Sequence, residues 1–418
     1  MKTHLRLSTA GSDRATGYNM SSKLVRRGNR LFVGWLDAPP GKGQPARIML
    51  GVCDVNTGAL QKALQLGEGV DNHCGPALAL DGNGRLHAVI GAHNGAFLCR
   101  WSDAPEDEAG WSDPETLGPA DTYPSLVVDR AGTLHLAHRE RGDRWRLCYR
   151  RKQPGHPWET PVPLAISPVP GYNHFMQSLA VGPAGALHLI FQFHYAESGR
   201  AQDCRGRAII HLQSDDSGGT WHNEGDRCET LPLTVDTMRP IIHCPEGDTR
   251  QHGLRVGNHV VDARNHPWFF SSIPGAHSGI LWHRTRSGWD GIDLASVIPN
   301  LNVEGGREAS ISRDAHDRIH LMVAVNPNGR ETPWFDPSLE LFYLIFNADG
   351  SLISCRQITE TDASAAHWLP ALEQWDWTRP DACCTDGFWF AYTRGLNAGG
   401  IGGDNRSALQ TEVYLGKV

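Results

Sequence analysis

Short apolar runs separated by polar turns follow one another along this chain. Residues 71–94, DNHCGPALALDGNGRLHAVIGAHN, show the pattern as an apolar strand, a tight turn and a second apolar strand. Amphipathic helical periodicity is nearly absent, while glycine and proline are frequent, at 46 and 26 residues. This pattern predicts an all-β fold.

The strand–turn–strand unit recurs along the chain. Relatives of residues 78–91 occur at 24–35, 126–139, 179–192, 259–272 and 311–324, most of them followed by a third apolar strand. Four antiparallel strands per repeat are typical of a propeller blade. Seven units are predicted, starting near residues 17, 71, 122, 171, 252, 301 and 365.

The last unit offers only three strands of its own. The N-terminal segment HLRLST can supply the fourth strand, which would close the ring and leave no open sheet edge. We therefore predict one domain over residues 1–418, a seven-bladed β-propeller. Residues 214–221, SDDSGGTW, match the Asp-box of sialidase-like propellers, a structural turn between two outer strands.

Four chemically active residues occupy matching places in two neighbouring units. His73 precedes the first strand of the second unit and His93 follows its second strand, and Tyr123 and Arg139 take these places in the third unit. Because the strands of a blade are antiparallel, all four side chains are expected on one face, around the mouth of the central channel.

This set of side chains suits β-elimination at a uronic acid. A glycosidase normally uses two carboxylates. No convincing carboxylate pair occurs at these positions, where Asp71 is the nearest candidate. We expect Arg139 to neutralise the substrate carboxylate and His73 or Tyr123 to take the C5 proton. Tyr123 or His93 would then assist the leaving oxygen, and no cofactor is required.

Further residues near the same mouth are candidates for substrate contact. They are Tyr18, Asn19, Asn72, Asn94, His138, His174 and His194. For Tyr18 and Asn19, a structural role in a turn is an equally good explanation.

Residues 241–266 are rich in histidine and cysteine. His243, Cys244, His252 and His259 are candidate ligands for a structural zinc or calcium ion. Their spacing matches no standard zinc motif.

Two stretches together resemble a known family. DNHCGPALALDGNGRLHAVIGAHN and TYPSLVVDRAGTLHLAHRERG are similar to ulvan lyases and their sialidase-like relatives with bacterial-neuraminidase-type repeats. The resemblance implies a seven-bladed propeller that cleaves rhamnose–uronate polysaccharides by β-elimination. It also implies site roles for His73, His93, Tyr123 and Arg139. Cys74 departs from the family pattern, which has asparagine there, and His138 replaces an aromatic residue.

Composition narrows the partners. The net charge is -7 without long runs of one sign, which disfavours nucleic acid and requires a local cationic patch for an acidic oligo- or polysaccharide. No apolar run approaches the roughly 18 residues of a membrane-spanning helix, so no membrane partner is expected.

The location and the exact activity stay open at this point. The N-terminus lacks a signal-peptide pattern, so a cytoplasmic location is expected if the chain is complete, and a secreted or periplasmic one if it is truncated. The alternatives to an ulvan-like lyase are an exo-acting α-L-rhamnosidase-like hydrolase, a rhamnose–glucuronate lyase, and a non-catalytic sugar-binding propeller. The oligomeric state is open.

Overall fold

Strands dominate the computed structural model of the chain. It describes residues 4–18, 20–38, 44–244, 254–273, 278–298, 309–326, 336–375, 377–378, 387–397 and 409–418. Within these ranges the one α-helix is the short α1 (Leu294–Val297). No helix in these ranges is long and apolar enough to cross a membrane. The fold is nearly all β.

The strands are numbered in chain order. The first nine are β1 (Leu5–Ser8), β2 (Leu24–Arg27), β3 (Arg30–Asp37), β4 (Ala46–Asp54), β5 (Leu60–Gly69), β6 (Ala77–Leu80), β7 (Leu86–Ile90), β8 (His93–Ser102) and β9 (Glu115–Val128). The next nine are β10 (Leu134–Glu140), β11 (Arg146–Lys152), β12 (Val162–Ile166), β13 (Gln177–Val181), β14 (Leu187–Tyr195), β15 (Arg205–Ser214), β16 (His222–Asn223), β17 (Asp226–Arg227) and β18 (Ile242–His243). The last are β19 (Arg255–Val261), β20 (Pro267–Ile273), β21 (Ser278–Arg284), β22 (Trp289–Asp293), β23 (Ser310–Arg313), β24 (Ile319–Val325), β25 (Glu340–Phe346), β26 (Leu352–Gln357), β27 (Ala366–Leu372), β28 (Trp389–Asn397) and β29 (Leu409–Lys417).

These strands pair into six sheets within the described ranges. Four sheets have four strands each, in the orders β2-β3-β4-β5, β19-β20-β21-β22, β23-β24-β25-β26 and β1-β29-β28-β27. A seven-stranded sheet runs from β6 to β12, and a six-stranded sheet contains β13 to β17 with β18 beside β15. The repeated strand–turn–strand units are confirmed as antiparallel hairpins.

Strand β9 joins two hairpins and thereby makes the seven-stranded sheet. Its residues 115–122 pair with β8 and its residues 121–128 pair with β10. The sequence predicts that a new strand starts at about residue 122, but β9 continues through this point as one strand. It bends at Tyr123, which adopts a φ of 57°.

Apolar side chains fill the space between consecutive sheets. One cluster joins Phe32 of β3 to Leu78 of β6. Another joins Trp35 of β3 to Trp389 of β28 and Leu415 of β29. Together with the pairing of β1 and β29, this packing gives a β-propeller-like fold. Two predicted unit starts, near residues 252 and 301, lie outside the described residues.

The SDDSGGTW segment forms the turn from β15 to β16. Asp216 accepts hydrogen bonds from the backbone N–H of Thr220 at 2.7 Å and from its hydroxyl at 2.8 Å. Ser214 accepts a bond from the N–H of Gly218 at 2.8 Å. Gly218 has a φ of 85°, and a Cβ atom there would overlap the Tyr149 ring. The turn therefore needs these residue types for its geometry.

Candidate active site

The four residues predicted as catalytic come together around strands β8, β9 and β10. His93 begins β8, Tyr123 lies at the bend of β9, and Arg139 lies near the end of β10. His93 and Arg139 are both paired with Thr122 of β9 in the sheet register. His73 comes from the loop before β6 and stacks on His93. One imidazole pair, one phenol and one guanidinium therefore lie close together.

Asp71 joins the two histidines. Its Oδ1 accepts a hydrogen bond from Nδ1 of His73 at 2.9 Å, and its Oδ2 accepts one from Nδ1 of His93 at 2.5 Å. Burial alone would raise the pKa of the Asp71 carboxyl, but the bonds and charges of the two histidines lower it below its usual range. The carboxylate is therefore ionised at neutral pH.

Both ring nitrogens of His73 are engaged. Nη1 of Arg14 lies 2.9 Å from Nε2 of His73. Because a guanidinium can only donate, Nε2 accepts and the ring proton is on Nδ1, facing Asp71. Burial lowers the pKa of His73 to about 3; the bond to Asp71 opposes this shift and the positive charge of Arg14 reinforces it. His73 is therefore neutral.

His93 has one side open. An ionised carboxylate can only accept, so Nδ1 of His93 carries the proton that faces Asp71, and the lone pair is on Nε2. Within the described ranges Nε2 makes no hydrogen bond, and the side chain keeps 20% of its exposure. An imidazole oriented by a carboxylate, with its second nitrogen accessible, is the arrangement of a general base.

Arg139 is completely buried, yet it forms no ion pair with a carboxylate in the part of the chain that the structure describes. It donates to Oδ1 of Asn94 at 3.2 Å and to the hydroxyl of Tyr172 at 3.3 Å, while its Nε has no hydrogen-bond partner among the described residues. Its Cζ lies 4.6 Å from the ring centre of Tyr123 and 4.5 Å from that of Trp145. These contacts orient the positive charge without neutralising it, which suits an anionic ligand.

Two tyrosines form an aromatic wall beside the histidines. The ring centres of Tyr18 and Tyr123 are 4.8 Å apart, and Tyr18 stacks on His73 at 5.4 Å. The φ angles of Tyr18, Asn94 and Tyr123 are 60°, 59° and 57°. Such angles cost about 1–3 kcal/mol each in a residue other than glycine and concentrate at functional sites.

His174 extends the cluster towards β14. Its ring centre lies 5.1 Å from that of Tyr123 and 5.6 Å from that of His194. Burial, followed by the charge of Arg255, lowers the pKa of His174 well below its usual value. Among the described residues its buried Nε2 has no hydrogen-bond partner, so a neutral imidazole faces the site.

Two predicted contact residues, His138 and Asn72, do not join this cluster. His138 follows the strand alternation to the face of β10 opposite Arg139, where its Nε2 accepts from Arg150 at 3.2 Å. His138 is completely buried on that face, so it lies apart from the cluster, and its contact with substrate stays a prediction. Asn72 is also buried, and its amide donates to Oδ1 of Asp13 at 2.7 Å. This bond stabilises the loop before β6. Asn19 lies outside the described residues.

The predicted metal ligands do not form a group in the described ranges. His243 is exposed, whereas Cys244 packs in an apolar cluster. Nδ1 of His259 lies 2.9 Å from the hydroxyl of Ser178 in the interior. His252 lies outside the described residues.

Among the described residues, one cluster offers three potential metal-ligand atoms within 4.8 Å of one another. It consists of Asp71, His73 and His93. Their mutual hydrogen bonds account for this grouping, and the adjacent charge of Arg14 opposes a cation. Hydrogen bonding therefore explains this cluster without a metal ion.

Comparison with known proteins places the fold. Residues 34–295 match the model of the BNR repeat-containing family, which is more than half of the chain. The chain belongs to the BNR repeat-containing family. Among curated proteins, this BNR repeat protein is 22% identical to an ulvan lyase from Nonlabens ulvanivorans over 193 residues. That alignment covers 40% of this chain and only 41% of the lyase.

Solved structures resemble nearly the whole BNR repeat chain. A PL25 ulvan lyase bound to a GlcA(1-4)Rha3S unit has a TM-score of 0.70 at 15% identity, over 99% of this chain and 96% of that one. The polysaccharide lyase Uly1 gives 0.61 at 11% identity, over 99% and 93%. The lectin BP39L from Burkholderia pseudomallei gives 0.56 at 13%, over 92% and 98%. The chain thus has an ulvan lyase-like BNR/sialidase-type fold.

Proposed function

We propose that this protein is a polysaccharide lyase that cleaves a uronate-containing, ulvan-like glycan by β-elimination. The observation that carries the proposal is the buried guanidinium of Arg139, whose hydrogen-bond partners among the described residues are uncharged, beside a carboxylate-oriented imidazole at His93. The names of the similar proteins, ulvan lyase and polysaccharide lyase, agree with this chemistry.

Arg139 would bind the uronate carboxylate. The proton on C5, next to that carboxylate, is only weakly acidic because its loss places negative charge on the carboxylate oxygens. A guanidinium paired with those oxygens stabilises the enolate-like intermediate, and the low-polarity surroundings of Arg139 strengthen the pairing. Asn94 and Tyr172 hold the guanidinium in place.

His93 is the base in this proposal. Its Nε2 takes the C5 proton, the C4–O bond breaks, and a double bond forms between C4 and C5. The Tyr123 hydroxyl gives its proton to the departing oxygen, so no water is consumed. His73 is less suited to this step because its Nε2 already accepts from Arg14. Positioned proton transfer of this kind contributes about 10²–10⁴-fold in rate.

Hydrolysis by a carboxylate pair suits the site less well. Glycosidases place one carboxyl group on each side of the glycosidic bond. Asp71 is the carboxylate that bonds to His73 and His93, and each of its oxygens accepts from one of them. It is therefore poorly placed to protonate a glycosidic oxygen or to attack a sugar ring.

The proposal includes a closed ring of seven blades in one domain. Seven apolar clusters of described residues each join consecutive four-strand groups, with β9 counted in two groups. The cluster of Leu7, Trp35 and Trp389 lies between the last group and the first. This packing supports closure, with β1 as the outer strand of the last blade.

The test is a screen of the purified chain against ulvan, gum arabic and heparinoids. The lyase proposal predicts that reducing ends and the ultraviolet absorbance of a conjugated unsaturated uronate rise together. Reducing ends without new absorbance would make the protein a hydrolase. Binding of uronate oligomers without turnover would make it a sugar-binding propeller. His93→Gln should abolish the signal, whereas His87→Gln, at the other end of the same sheet, should retain it.

A further inference from the structure

Arg14 lies at the edge of the candidate site, in a segment that no sequence motif marks. The segment is held from two sides. Ser12 donates its backbone N–H to the carbonyl of Leu36 at 2.9 Å, and the indole of Trp368 donates to the carbonyl of Asp13 at 2.8 Å. The backbone around Arg14 is thus fixed between β3 and β27.

The guanidinium of Arg14 contacts two side chains of the site. Nη1 donates to the Tyr18 hydroxyl and lies 2.9 Å from Nε2 of His73. Its Cζ lies 5.5 Å from the centre of the Tyr18 ring. A guanidinium is always charged and only donates, so it can face a neutral imidazole nitrogen but not a protonated one.

The two histidines bonded to Asp71 therefore have different roles, with His73 kept neutral and His93 acting as the base. If His73 became an imidazolium, it would pair with the Asp71 carboxylate and place a positive charge against His93, whose ring is 3.9 Å away. Both effects would make His93 a weaker base. A neutral His73 leaves the carboxylate charge to stabilise a proton on His93.

We propose that Arg14 is a positioning residue for the elimination: it holds His73 as the neutral tautomer, so that His93 alone exchanges protons with the substrate. This inference rests on the proposed function. The groups that face or electrostatically influence His73 come from every neighbouring element. They are Arg14 and Tyr18 from the N-terminal segment, Asp71 from its own loop, His93 from β8, Tyr123 from β9 and His174 before β13.

The first experiment measures His73 directly by nuclear magnetic resonance of its imidazole as a function of pH. In the unaltered chain His73 should stay neutral throughout the range from neutral pH to about pH 5. In Arg14→Met the titration of His73 should move towards the ordinary histidine value, because the charge of Arg14 is gone while the burial of the ring remains. Arg14→Lys, which keeps a donor-only cation, should restore the neutral form. If the His73 titration in Arg14→Met matches the unaltered chain, the proposal is wrong.

The second experiment follows turnover. Arg14→Met should lower kcat by about tenfold or more with a smaller change in KM. The acid limb of its kcat/KM profile should move to higher pH and become steeper, because protonation of His73 then also inactivates the site. A uniform loss at every pH, with His73 still neutral, would assign Arg14 a purely structural role and overturn the proposal.

Two further variants keep the test decisive. Arg6→Met removes an exposed arginine from the same N-terminal region, where Arg6 pairs with Glu412. This variant should change neither the His73 titration nor turnover. If Arg14→Met does not fold, Tyr18→Phe removes one partner of Arg14 but keeps the ring. It should shift the His73 titration in the same direction by less, and no shift would contradict the proposal. The titration needs no substrate, so it separates this inference from the lyase assignment.

Discussion

His73 and His93 stack with their ring centres 3.9 Å apart and their planes 26° from parallel. Both rings donate to the carboxylate of Asp71. The charge of Arg14, whose Nη1 lies 2.9 Å from the outer nitrogen of His73, lowers the pKa of His73 in addition to the effect of burial.

Replacing Asp71 should impair turnover more than stability. In Asp71→Asn the amide can accept from only one histidine, and the negative charge that stabilises protonated His93 is lost. We expect kcat to fall by about 10²-fold or more, measured by the unsaturated-uronate absorbance. Asp81→Asn is the matched control, because Asp81 lies 3.2 Å from His87 in the same hairpin at its other end. Equal losses in both variants would show that the effect is structural.

Arg139→Gln removes the charge that the substrate carboxylate is proposed to meet. We expect kcat/KM to fall by about 10²–10³-fold, since truncating one member of a buried charge pair costs roughly 2–5 kcal/mol. Arg313→Gln is the control: Cζ of Arg313 lies 4.0 and 3.8 Å from the ring centres of Trp375 and Trp377. It should lower the unfolding temperature without affecting kcat/KM. Retained turnover in Arg139→Gln would exclude carboxylate neutralisation by this residue.

Tyr123→Phe tests the proposed acid. The ring and its packing remain, but the hydroxyl that protonates the departing oxygen is gone, so we expect a large loss of kcat with an unchanged unfolding temperature. Tyr343→Phe removes a hydroxyl bonded to His320 in the sheet of β23 to β26 and should keep full activity. Normal turnover by Tyr123→Phe would assign the proton transfer to another group.

Local patterns were sufficient to predict the hairpins and the meeting of His73, His93, Tyr123 and Arg139. Alternation along strands and turn residues act over a few positions, so they can be seen in the sequence. The contact of Arg14 with His73 joins residues 59 positions apart and depends on how the N-terminal segment packs between sheets. No local pattern announces such a contact.

Two other differences have physical causes that the pattern did not reveal. His138 and Arg139 are consecutive in β10, so only one of them can face the site, and the alternation assigns that place to Arg139. The continuity of β9 through Tyr123 depends on a positive φ at a tyrosine, which sequence composition does not indicate. The Asp71 carboxylate had a local signal, its position two residues before His73, where it also accepts the backbone N–H at 2.8 Å.

Buried neutral histidines should make the fold sensitive to acid. Burial, then the neighbouring His211, lowers the pKa of His188 to about 3, and the pKa of His73 is also about 3. Between about pH 6.5 and 3 the unfolded chain binds protons that the folded chain does not, so the free energy of unfolding falls as pH falls. Each such residue contributes at most about 1.4 kcal/mol per pH unit. Urea unfolding at several pH values measures this slope.

His188→Gln should give a shallower slope than the unaltered chain, because one neutral histidine is gone from the folded state. The variant leaves the candidate site intact, so its turnover at neutral pH should be retained. A free energy of unfolding that stays constant from neutral pH to about pH 5 would contradict the assignment of these histidines as neutral.

The most direct test of β-elimination at this site is the mass of the products from one defined rhamnose–uronate oligosaccharide. Elimination adds no water, so the two product masses should sum to the mass of the substrate, with one product carrying the unsaturated uronate. A sum that exceeds the substrate by one water molecule would show hydrolysis and contradict the account.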